Sequence, residues 1–371
     1  MKYVVLILIG FLYIGCSSKV SDEGLSIHHV DLSQAKEVSA FDLVDSISVV
    51  SLETNDSCLV SYIRGIKKKD DKLYILDGKQ ETLFCFNMDG VFLFKIHNLG
   101  NGPEEYQHIE NFCLDAQGNI YLVEPWGVIH QYDSYGKFVQ RIETFDKINV
   151  INDIYCIKNE LITASCFHKI KVGHISLQDK QISVYQVIDE LIAERVQYYQ
   201  YGESVYFVSS LTGQICKLES ENYTPYLQWD FGKDNNDATD LLEKVRECSG
   251  TIFGEVGPGK FFRNAIYSAF ENDRFNFIVL EYNNDFVHVV YDKLKKEYLV
   301  FKKTKEKTIF AFCNLTDGVL VYNPPIVTGD PGRDLTCIRP EMLDAPNALR
   351  LAKGEQGENN PSITIFWLKN K

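Results

Sequence analysis

The chain has 371 residues, enough for one large domain or two ordinary ones, and it is rich in aromatic residues, with 21 Tyr and 23 Phe against 3 Met. This composition favours strands over helices. The formal net charge is −13 at pH 7. Because so acidic a surface repels phosphate backbones, the composition argues against nucleic acid as a partner.

The N-terminus has the pattern of a signal peptide over residues 1–15. Lys2 supplies the positive charge, and the apolar run Val4–Ile14 is shorter than the roughly 18 residues of a membrane-spanning helix. The ending Gly15-Cys16 resembles the lipobox of bacterial lipoproteins, in which the Cys is lipidated and becomes the first residue. This predicts a lipid anchor at Cys16, in the outer membrane of the cell envelope. The alternative is ordinary secretion with Cys16 as a free thiol.

Residues 16–40 are polar and irregular, as expected of a tether between an anchor and a folded body. From residue 41 to residue 371 the chain repeats a unit of four short strands. The second strands of the repeats are Lys72–Asp77, Asn119–Glu124, Glu160–Ser165, Ser204–Ser209, Asn276–Glu281 and Gly318–Asn323. Their third residues are separated by 47, 41, 44, 72 and 42 residues. This period predicts a single all-β domain, a six-bladed β-propeller of four-stranded antiparallel blades.

The last unit lacks its outer strands in sequence order. Its third strand appears only at Ser362–Leu368, and the unpaired strand Ser46–Leu52 at the start of the fold is available as its fourth. Pairing of these two segments would close the ring with strands from both chain ends, which would otherwise fray.

Two insertions interrupt the period, Phe231–Arg263 between units four and five and Pro324–Pro361 inside unit six. Apolar spacing predicts one short helix in each, the second within residues 339–352. In an antiparallel blade, the loop between strands two and three and the loop to the next blade leave the disc on the same side. Both insertions therefore lie on one face, here named the crowned face; the opposite side is the plain face.

Two segments resemble a known family. The segment Leu99–Phe112, LGNGPEEYQHIENF, resembles the G-x-G-P-x-E-Y segment of a family of six-bladed β-propeller lipoproteins common in gut anaerobes. The C-terminal run ENNPSITIFWLK resembles the closing strand of that family. The resemblance covers nearly all of the chain after residue 40. It implies an NHL-like or TolB-like propeller, and such propellers are mostly binding modules, although the family itself is largely uncharacterised.

Motifs for catalysis and metal binding are missing from the sequence. It has no G-x-S-x-G elbow, phosphate-binding loop, H-E-x-x-H motif or C-x-x-C pair. The run Asp234–Asp240 resembles a calcium loop, but Ala238 and Thr239 stand where the EF-hand pattern requires a ligand and a Gly. The sequence therefore predicts neither a cofactor nor a metal.

Candidates for ligand contact come from loops and isolated cations. They are Trp126, Glu124, His168, Arg64, Arg263 and Arg333. Trp126 offers an aromatic platform for a sugar ring or a peptide side chain, or it packs beneath the second insertion. The arginines either donate to a carboxylate or uronic acid, or pair with local acidic residues. The basic run Lys67–Lys69 is interpreted as a solvated edge.

These features predict an envelope lipoprotein that binds a glycan, peptide or protein at the crowned face, without turnover. The alternative is a hydrolase or lyase that acts on a polysaccharide or small ester at the mouth of the central channel. Titratable side chains that converge at this mouth would favour the enzyme, whereas a broad aromatic or apolar groove would favour binding.

Overall fold

The computed structural model describes residues 25–165, 170–188, 196–237, 263–283, 285–311, 313–322, 340–354 and 359–370. The chain forms six sheets arranged as the blades of a β-propeller, each with four antiparallel strands, and one sheet has a fifth strand paired in parallel at its rim. The predicted fold class and number of blades are confirmed. Each predicted second strand occupies the second place in its blade, counted outward from the centre of the ring.

The strands of each blade run from the centre of the ring to its rim, and three elements precede the first blade. These are β1 (Ser26–His29), α1 (Ala40–Leu43) and β2 (Val44–Ser51). Blade 1 contains β3 (Ile63–Lys69), β4 (Lys72–Asp77), β5 (Thr82–Asn87) and β6 (Phe92–Ile96). Blade 2 contains β7 (Asn111–Leu114), β8 (Ile120–Glu124), β9 (Val128–Tyr132) and β10 (Phe138–Glu143). Blade 3 contains β11 (Asp153–Ile157), β12 (Glu160–Ala164), β13 (Ile170–Ser176) and β14 (Ile182–Ile188).

The other three blades follow the same order. Blade 4 contains β15 (Val196–Tyr201), β16 (Ser204–Ser209), β17 (Gln214–Leu218) and β18 (Tyr223–Asp230). Blade 5 contains β19 (Asn264–Glu271), β20 (Phe275–Tyr282), β21 (Asp285–Asp292) and β22 (Glu297–Phe301). Blade 6 contains β23 (Cys313–Thr316), β24 (Val319–Tyr322), β25 (Ser362–Leu368) and β2.

The core consists of apolar layers between the blades. The second strands are apolar on both faces because each blade packs between two neighbours, and every residue of β8 is buried. Buried side chains of the described residues form six clusters, one between each pair of adjacent blades. At roughly 25 cal/mol per Å² of apolar surface removed from water, these layers are the main favourable contribution to folding.

The ring closes in blade 6, as predicted. β25 pairs antiparallel with β2, which begins two residues before the predicted strand, at Val44. The indole Nε1 of Trp367 donates to Ser48 Oγ across this pair at 2.9 Å. Both ends of the fold are therefore held in one sheet.

The segment of residues 25–39 differs from the predicted tether. β1 pairs in parallel with β18 and adds a fifth strand to the rim of blade 4. Val30 and Leu32 are buried in the layer between blades 4 and 5, and Val38 in the layer between blades 5 and 6. The prediction of an irregular tether is therefore wrong for residues 25–40, because a few well-spaced apolar side chains suffice to fix this segment on the propeller.

The insertion inside unit six is described for residues 340–354. It contains the 3-10 turn Pro340–Met342 and the helix α2 (Ala345–Gly354), which confirms the helix predicted within residues 339–352. The side chain of Asn347 accepts a hydrogen bond from the Val49 amide at 2.8 Å, so α2 lies against β2 at the rim of blade 6. The other predicted helix falls within residues 238–262, outside the described part of the chain.

Candidate functional site

The inner strands β3, β7, β11, β15, β19 and β23 surround a central channel with a volume of about 1500 Å³. Its mouth on the crowned face lies at the first residues of these strands, and its plain end lies at their last residues. Lys67 and Lys69 line it from blade 1, opposite Tyr199 and Tyr201 of blade 4. The channel therefore has a basic wall facing a wall of tyrosines.

Asp77 holds the crowned loops of blade 1 in place. Its buried carboxylate accepts hydrogen bonds from the amides of Ser61 at 2.6 Å, Lys79 at 2.9 Å and Gln80 at 3.0 Å. Burial alone raises the pKa of Asp77, but these donors outweigh burial and hold that pKa below its ordinary value. The loop that leads into β3 is thereby fixed to the loop that follows β4.

Arg64, a predicted ligand contact, belongs to a polar cluster at the crowned mouth. Its guanidinium donates to the carbonyl oxygens of Gly78 at 3.3 Å and of Ile109, and lies 3.2 Å from His108 Nε2. Glu81 accepts from His108 Nδ1 at 2.9 Å and from the Ile109 amide at 2.7 Å. These bonds join the crowned loops of blades 1 and 2, so both terminal nitrogens of Arg64 are engaged within the protein.

Glu124, another predicted contact, is buried and does not line the channel. Its carboxylate contacts His130 Nε2 at 2.9 Å and accepts from the Gln107 amide at 3.2 Å. Burial alone raises the pKa of Glu124, but the hydrogen bonds from His130 and Gln107 lower it below its ordinary value. The carboxylate therefore fixes the loop between blades 1 and 2, as Asp77 does one blade earlier.

Trp126 is exposed on the crowned face, with 59% of its surface accessible. Its ring centroid lies 6.3 Å from that of His108, beside the Arg64 cluster. Five other large side chains on the crowned loops of blades 1 to 3 are exposed by more than a third: Leu59, Tyr62, Leu99, Phe145 and Val150. These six side chains are here named the apolar crown. Trp126 was alternatively predicted to pack beneath Pro324–Pro361, and residues 324–339 and 355–358 of that insertion lie outside the described residues.

Carboxylates outnumber cations around the apolar crown. Its loops comprise residues 53–62, 78–81, 97–110, 124–127 and 144–152. Their exposed carboxylates are Asp56, Glu104, Glu105 and Asp146, whereas their exposed lysines are Lys79 and Lys147. The Glu53 carboxylate lies instead at the β5–β6 turn, where it accepts from the Phe92 amide at 2.9 Å. The surface around the crown is therefore acidic, in keeping with the charge of the whole chain.

The remaining predicted contacts do not join this site. Arg263 is exposed on the loop before β19, where its guanidinium donates to the Lys233 carbonyl and its amide donates to Asn236 at 2.7 Å. His168, Arg333 and Cys16 lie outside the described residues. Of the predicted residues, the structure thus brings together Trp126, Glu124 and Arg64, through the loops of blades 1 and 2.

The charged residues inside the channel were not predicted from the sequence. The interpretation of Lys67–Lys69 as a solvated edge is wrong: Lys68 is buried and paired with Asp317 at 2.8 Å, and Lys67 lies over the rings of Phe112 and Tyr155. One signal was available, since the first strand of every blade lines the channel. Aligning first strands rather than second strands would have placed this basic run there.

Two structural features are absent from the described ranges. No three His, Cys, Asp or Glu side chains there form a group suited to a metal ion. No helix of these ranges has the length and apolarity needed to cross a membrane.

Three solved structures are similar to this chain. A Bacteroides fragilis protein described as exported has a TM-score of 0.65 at 17% identity, over 94% of this chain and 99% of that chain. A DUF4221 family member from Bacteroides vulgatus has a TM-score of 0.51 at 8% identity, over 91% and 99%. A catalytically inactive virginiamycin B lyase from Staphylococcus aureus has a TM-score of 0.43 at 14% identity, over 71% of this chain and 77% of that chain. These likenesses concern the fold alone.

Sequence comparisons give one curated relative and one family. Uncharacterized protein 038R of Invertebrate iridescent virus 3 is 24% identical over 132 residues, which span 35% of this chain and 23% of that protein. A family model described as a domain of unknown function, DUF4934, matches residues 25–365. That range extends from the start of β1 into β25 and includes all six blades. The chain therefore belongs to the DUF4934 family.

Proposed function

We propose that this protein is a binding module that recognises a basic protein or peptide at the apolar crown, without chemical turnover. The exposure of six large apolar side chains on adjoining loops of blades 1 to 3 carries this proposal. Isolated exposed apolar residues are common on soluble proteins, but a contiguous patch with a polar rim is typical of an interaction surface. An aromatic residue such as Trp126 is also the usual anchor of such a surface.

The loops that carry the crown are held rigidly. Asp77, Glu81 and Glu124 each bind main-chain amides of a neighbouring loop. The loop that contains Phe145 is attached to blade 2 by the hydrogen bond from the Ile151 amide to the Pro125 carbonyl, at 2.9 Å. A surface fixed before binding loses little conformational entropy on association, so this arrangement supports recognition by a preformed patch.

Charge supports a basic partner. The four exposed carboxylates around the crown would attract Lys or Arg side chains and repel acidic chains, polyanions and phosphate groups. We expect association to weaken as the salt concentration rises, because rim charges act mainly on the rate of association and are screened.

Site-specific photocrosslinking in cells tests this proposal. A crosslinking amino acid at Trp126 should capture a basic protein, whereas the same group at Tyr135 should not. Tyr135 is a matched control because it lies on the plain face of the same blade and is even more exposed, at 81%. Trp126→Ala should then weaken binding of the captured partner about tenfold or more, and Tyr135→Ala should leave it unchanged.

Three outcomes would contradict the proposal. They are equal capture from both positions, capture of an acidic protein, and capture of material that glycosidases rather than proteases release. The last result would make a glycan the partner, the other class that the sequence predicted for this face.

One observation favours the alternative of an enzyme at the channel mouth. His108 contacts Glu81 through Nδ1 at 2.9 Å and lies 3.5 Å from Glu110 through Nε2, an arrangement suited to a general base once Arg64, which lies 3.2 Å from the same Nε2, releases it. Turnover of a polysaccharide or small ester that is lost in His108→Gln but retained in Trp126→Ala would favour this function. Binding stays our conclusion because Arg64, Glu81 and the Ile109 amide satisfy one another in joining the two loops.

We also propose that the protein is exported and anchored in the outer membrane through a lipid on Cys16. The support is the signal-peptide pattern of residues 1–15, the lipobox-like Gly15-Cys16 ending and the exported character ascribed to the Bacteroides fragilis relative. Mass spectrometry of the mature N-terminus tests this proposal. Diacylated Cys16 at the first position would support it, and an unmodified Cys16 would end it.

A further inference from the structure

The central channel is a cavity distinct from the apolar crown. At about 1500 Å³ it exceeds the roughly 300–1,000 Å³ of ordinary small-molecule sites. Most of its charged side chains have partners within the protein: Lys68 pairs with Asp317, Lys158 with Glu203, and Glu271 with Lys293. The wall shared by blades 1, 2 and 3 is different, because charged groups there keep unused hydrogen-bonding capacity.

Lys67 extends from β3 across this wall. Its Nζ lies 5.3 Å from the ring centroid of Phe112 in blade 2 and 5.7 Å from that of Tyr155 in blade 3. Among the described residues, no carboxylate oxygen lies within the ion-pair distance of 4.0 Å of this nitrogen. The ammonium is thus held by two aromatic faces and has hydrogen-bond donors available to the channel.

Asp153 of blade 3 supplies an acceptor on the same wall. Its Oδ1 accepts from Asn111 Nδ2 at 2.8 Å, and this is the one hydrogen bond that its side chain makes to described residues. Oδ2 is therefore available to the channel. Tyr155 stands two residues along the same strand, with its ring fixed by the hydrogen bond from its hydroxyl to the Tyr198 carbonyl at 3.0 Å.

The pKa shifts of Asp153 and Lys67 agree with charges that lack full compensation by partners within the protein. Burial raises the pKa of Asp153 to about 6, although Lys67 and Asn111 oppose this change. Burial likewise lowers the pKa of Lys67, which Cys113 and Asp153 partly offset. Both charges are therefore kept at a cost in solvation that bonds within the protein do not fully compensate.

We propose that the channel wall shared by blades 1 to 3 is a saccharide-binding site, where Lys67 donates to ligand hydroxyls and Asp153 accepts from them beside the Tyr155 ring. A hydroxyl is the group that both accepts and donates a hydrogen bond, so the hydroxyls of one sugar can satisfy an ammonium and a carboxylate that line the same wall. The Tyr155 ring, which is covered on one face by Lys67, fixes the position of the ammonium that the sugar contacts. This inference does not rest on the proposed partner of the apolar crown.

Binding of defined saccharides to the full-length protein tests the site. The probes are glucose, galactose, mannose, N-acetylglucosamine and short linear oligomers of each, with glucuronic acid as an anionic comparison. Calorimetry and saturation-transfer NMR should detect a neutral saccharide. Asp153→Asn and Lys67→Met should each weaken its binding about tenfold or more, as expected for the loss of a charge-assisted hydrogen bond. Lys69→Met is the matched control, since Lys69 lines the channel from the same strand at its plain end.

Several results would overturn the site. One is the absence of binding by every neutral probe at millimolar concentration. Another is binding of glucuronic acid alone, strengthened by Asp153→Asn, because that pattern belongs to a site for a carboxylate. Equal affinity of all variants would place the ligand elsewhere. Loss of saccharide binding in Trp126→Ala would move it to the crown, whereas intact saccharide binding in that variant together with failed partner capture would affect only the proposed function.

Discussion

Asp77 and Asp153 are two carboxylates on the crowned side of the same propeller with opposite electrostatic situations. Asp77 accepts hydrogen bonds from four main-chain amides, those of Ser61, Tyr62, Lys79 and Gln80, and its pKa is held below the ordinary value. Asp153 accepts one hydrogen bond, from Asn111, and burial raises its pKa to about 6. The first carboxylate therefore stabilises the fold by being charged, and the second destabilises the fold by being charged.

This difference distinguishes charged residues that stabilise the fold from charged residues that serve a function. A buried charge whose hydrogen-bond partners all lie within the protein has a structural role, as Asp77 does. A charge kept at a cost, such as that of Asp153, indicates a requirement other than stability, because mutation to a neutral residue would remove the cost. The same contrast holds for the cations, since Arg64 is engaged with main-chain carbonyls while Lys67 faces the channel.

Removal of the Asp77 carboxylate should have the largest effect on stability. Asp77→Ala leaves the amides of Ser61, Lys79 and Gln80 without their acceptor, so we expect the free energy of unfolding to fall by about 3 kcal/mol. Urea unfolding followed by far-ultraviolet circular dichroism measures this change. Asp56→Ala is the control, because Asp56 is an exposed carboxylate of the same crowned loop.

The pH dependence of the stability of Asp77→Ala distinguishes lost hydrogen bonds from lost packing. Because the folded pKa of Asp77 is depressed, its contribution is complete above the ordinary value of 3.8 and is lost as the pH falls below it. The deficit of Asp77→Ala relative to wild type should therefore shrink in acid. A deficit that is independent of pH would mean that lost packing, and not the charged hydrogen bonds, accounts for the destabilisation.

Loss of the Arg64 guanidinium should have an intermediate effect. Arg64→Ala removes the donors to the Gly78 and Ile109 carbonyls and uncouples His108, so we expect a loss of about 2 kcal/mol in the free energy of unfolding. Lys69→Ala on the same strand is the control and should cost far less. If Arg64→Ala leaves stability unchanged but abolishes partner binding, the role of Arg64 is functional and not structural.

The fold could be predicted from the sequence because each blade repeats one local pattern. Second strands that are apolar on both faces encode burial between two neighbours, and the unpaired strand of Val44–Ser51 had one unfilled place to occupy. β1 was missed because it has four residues and one of them, His28, is buried, which leaves no periodicity to detect.

The site could be predicted only in outline. Topology placed Trp126 on the crowned face, but whether a side chain retains free donors depends on which loops meet in space. Arg64 and His108 are 44 positions apart in the chain, and no local sequence pattern predicts their contact. Lys67 and Asp153 come from blades 1 and 3, so their proximity follows from ring closure rather than from spacing.

Asp153→Asn should change stability less than the other two variants do. Its effect should also be opposite in sign, a gain in stability. The folded pKa of about 6 exceeds the ordinary 3.8, so between these values the folded protein binds a proton that the unfolded chain has released. The stability linked to this group is therefore complete below pH 3.8 and is lost as the pH rises through 6. The amide remains neutral, keeps an acceptor for Asn111, and should make the variant about 1 kcal/mol more stable than wild type at pH 7.

The pH dependence of stability in wild type and in Asp153→Asn tests this prediction. Thermal unfolding should show the advantage of Asp153→Asn at pH 7 and its disappearance towards pH 3.8, while Asp273→Asn, at the exposed plain end of the channel, should follow wild type throughout. A variant less stable than wild type at pH 7 would mean that attraction to Lys67 outweighs the burial of Asp153. The pair would then be architectural, like Asp77 and its amides. A more stable variant that also loses saccharide binding would show that the channel retains this charge for its ligand at the expense of the fold.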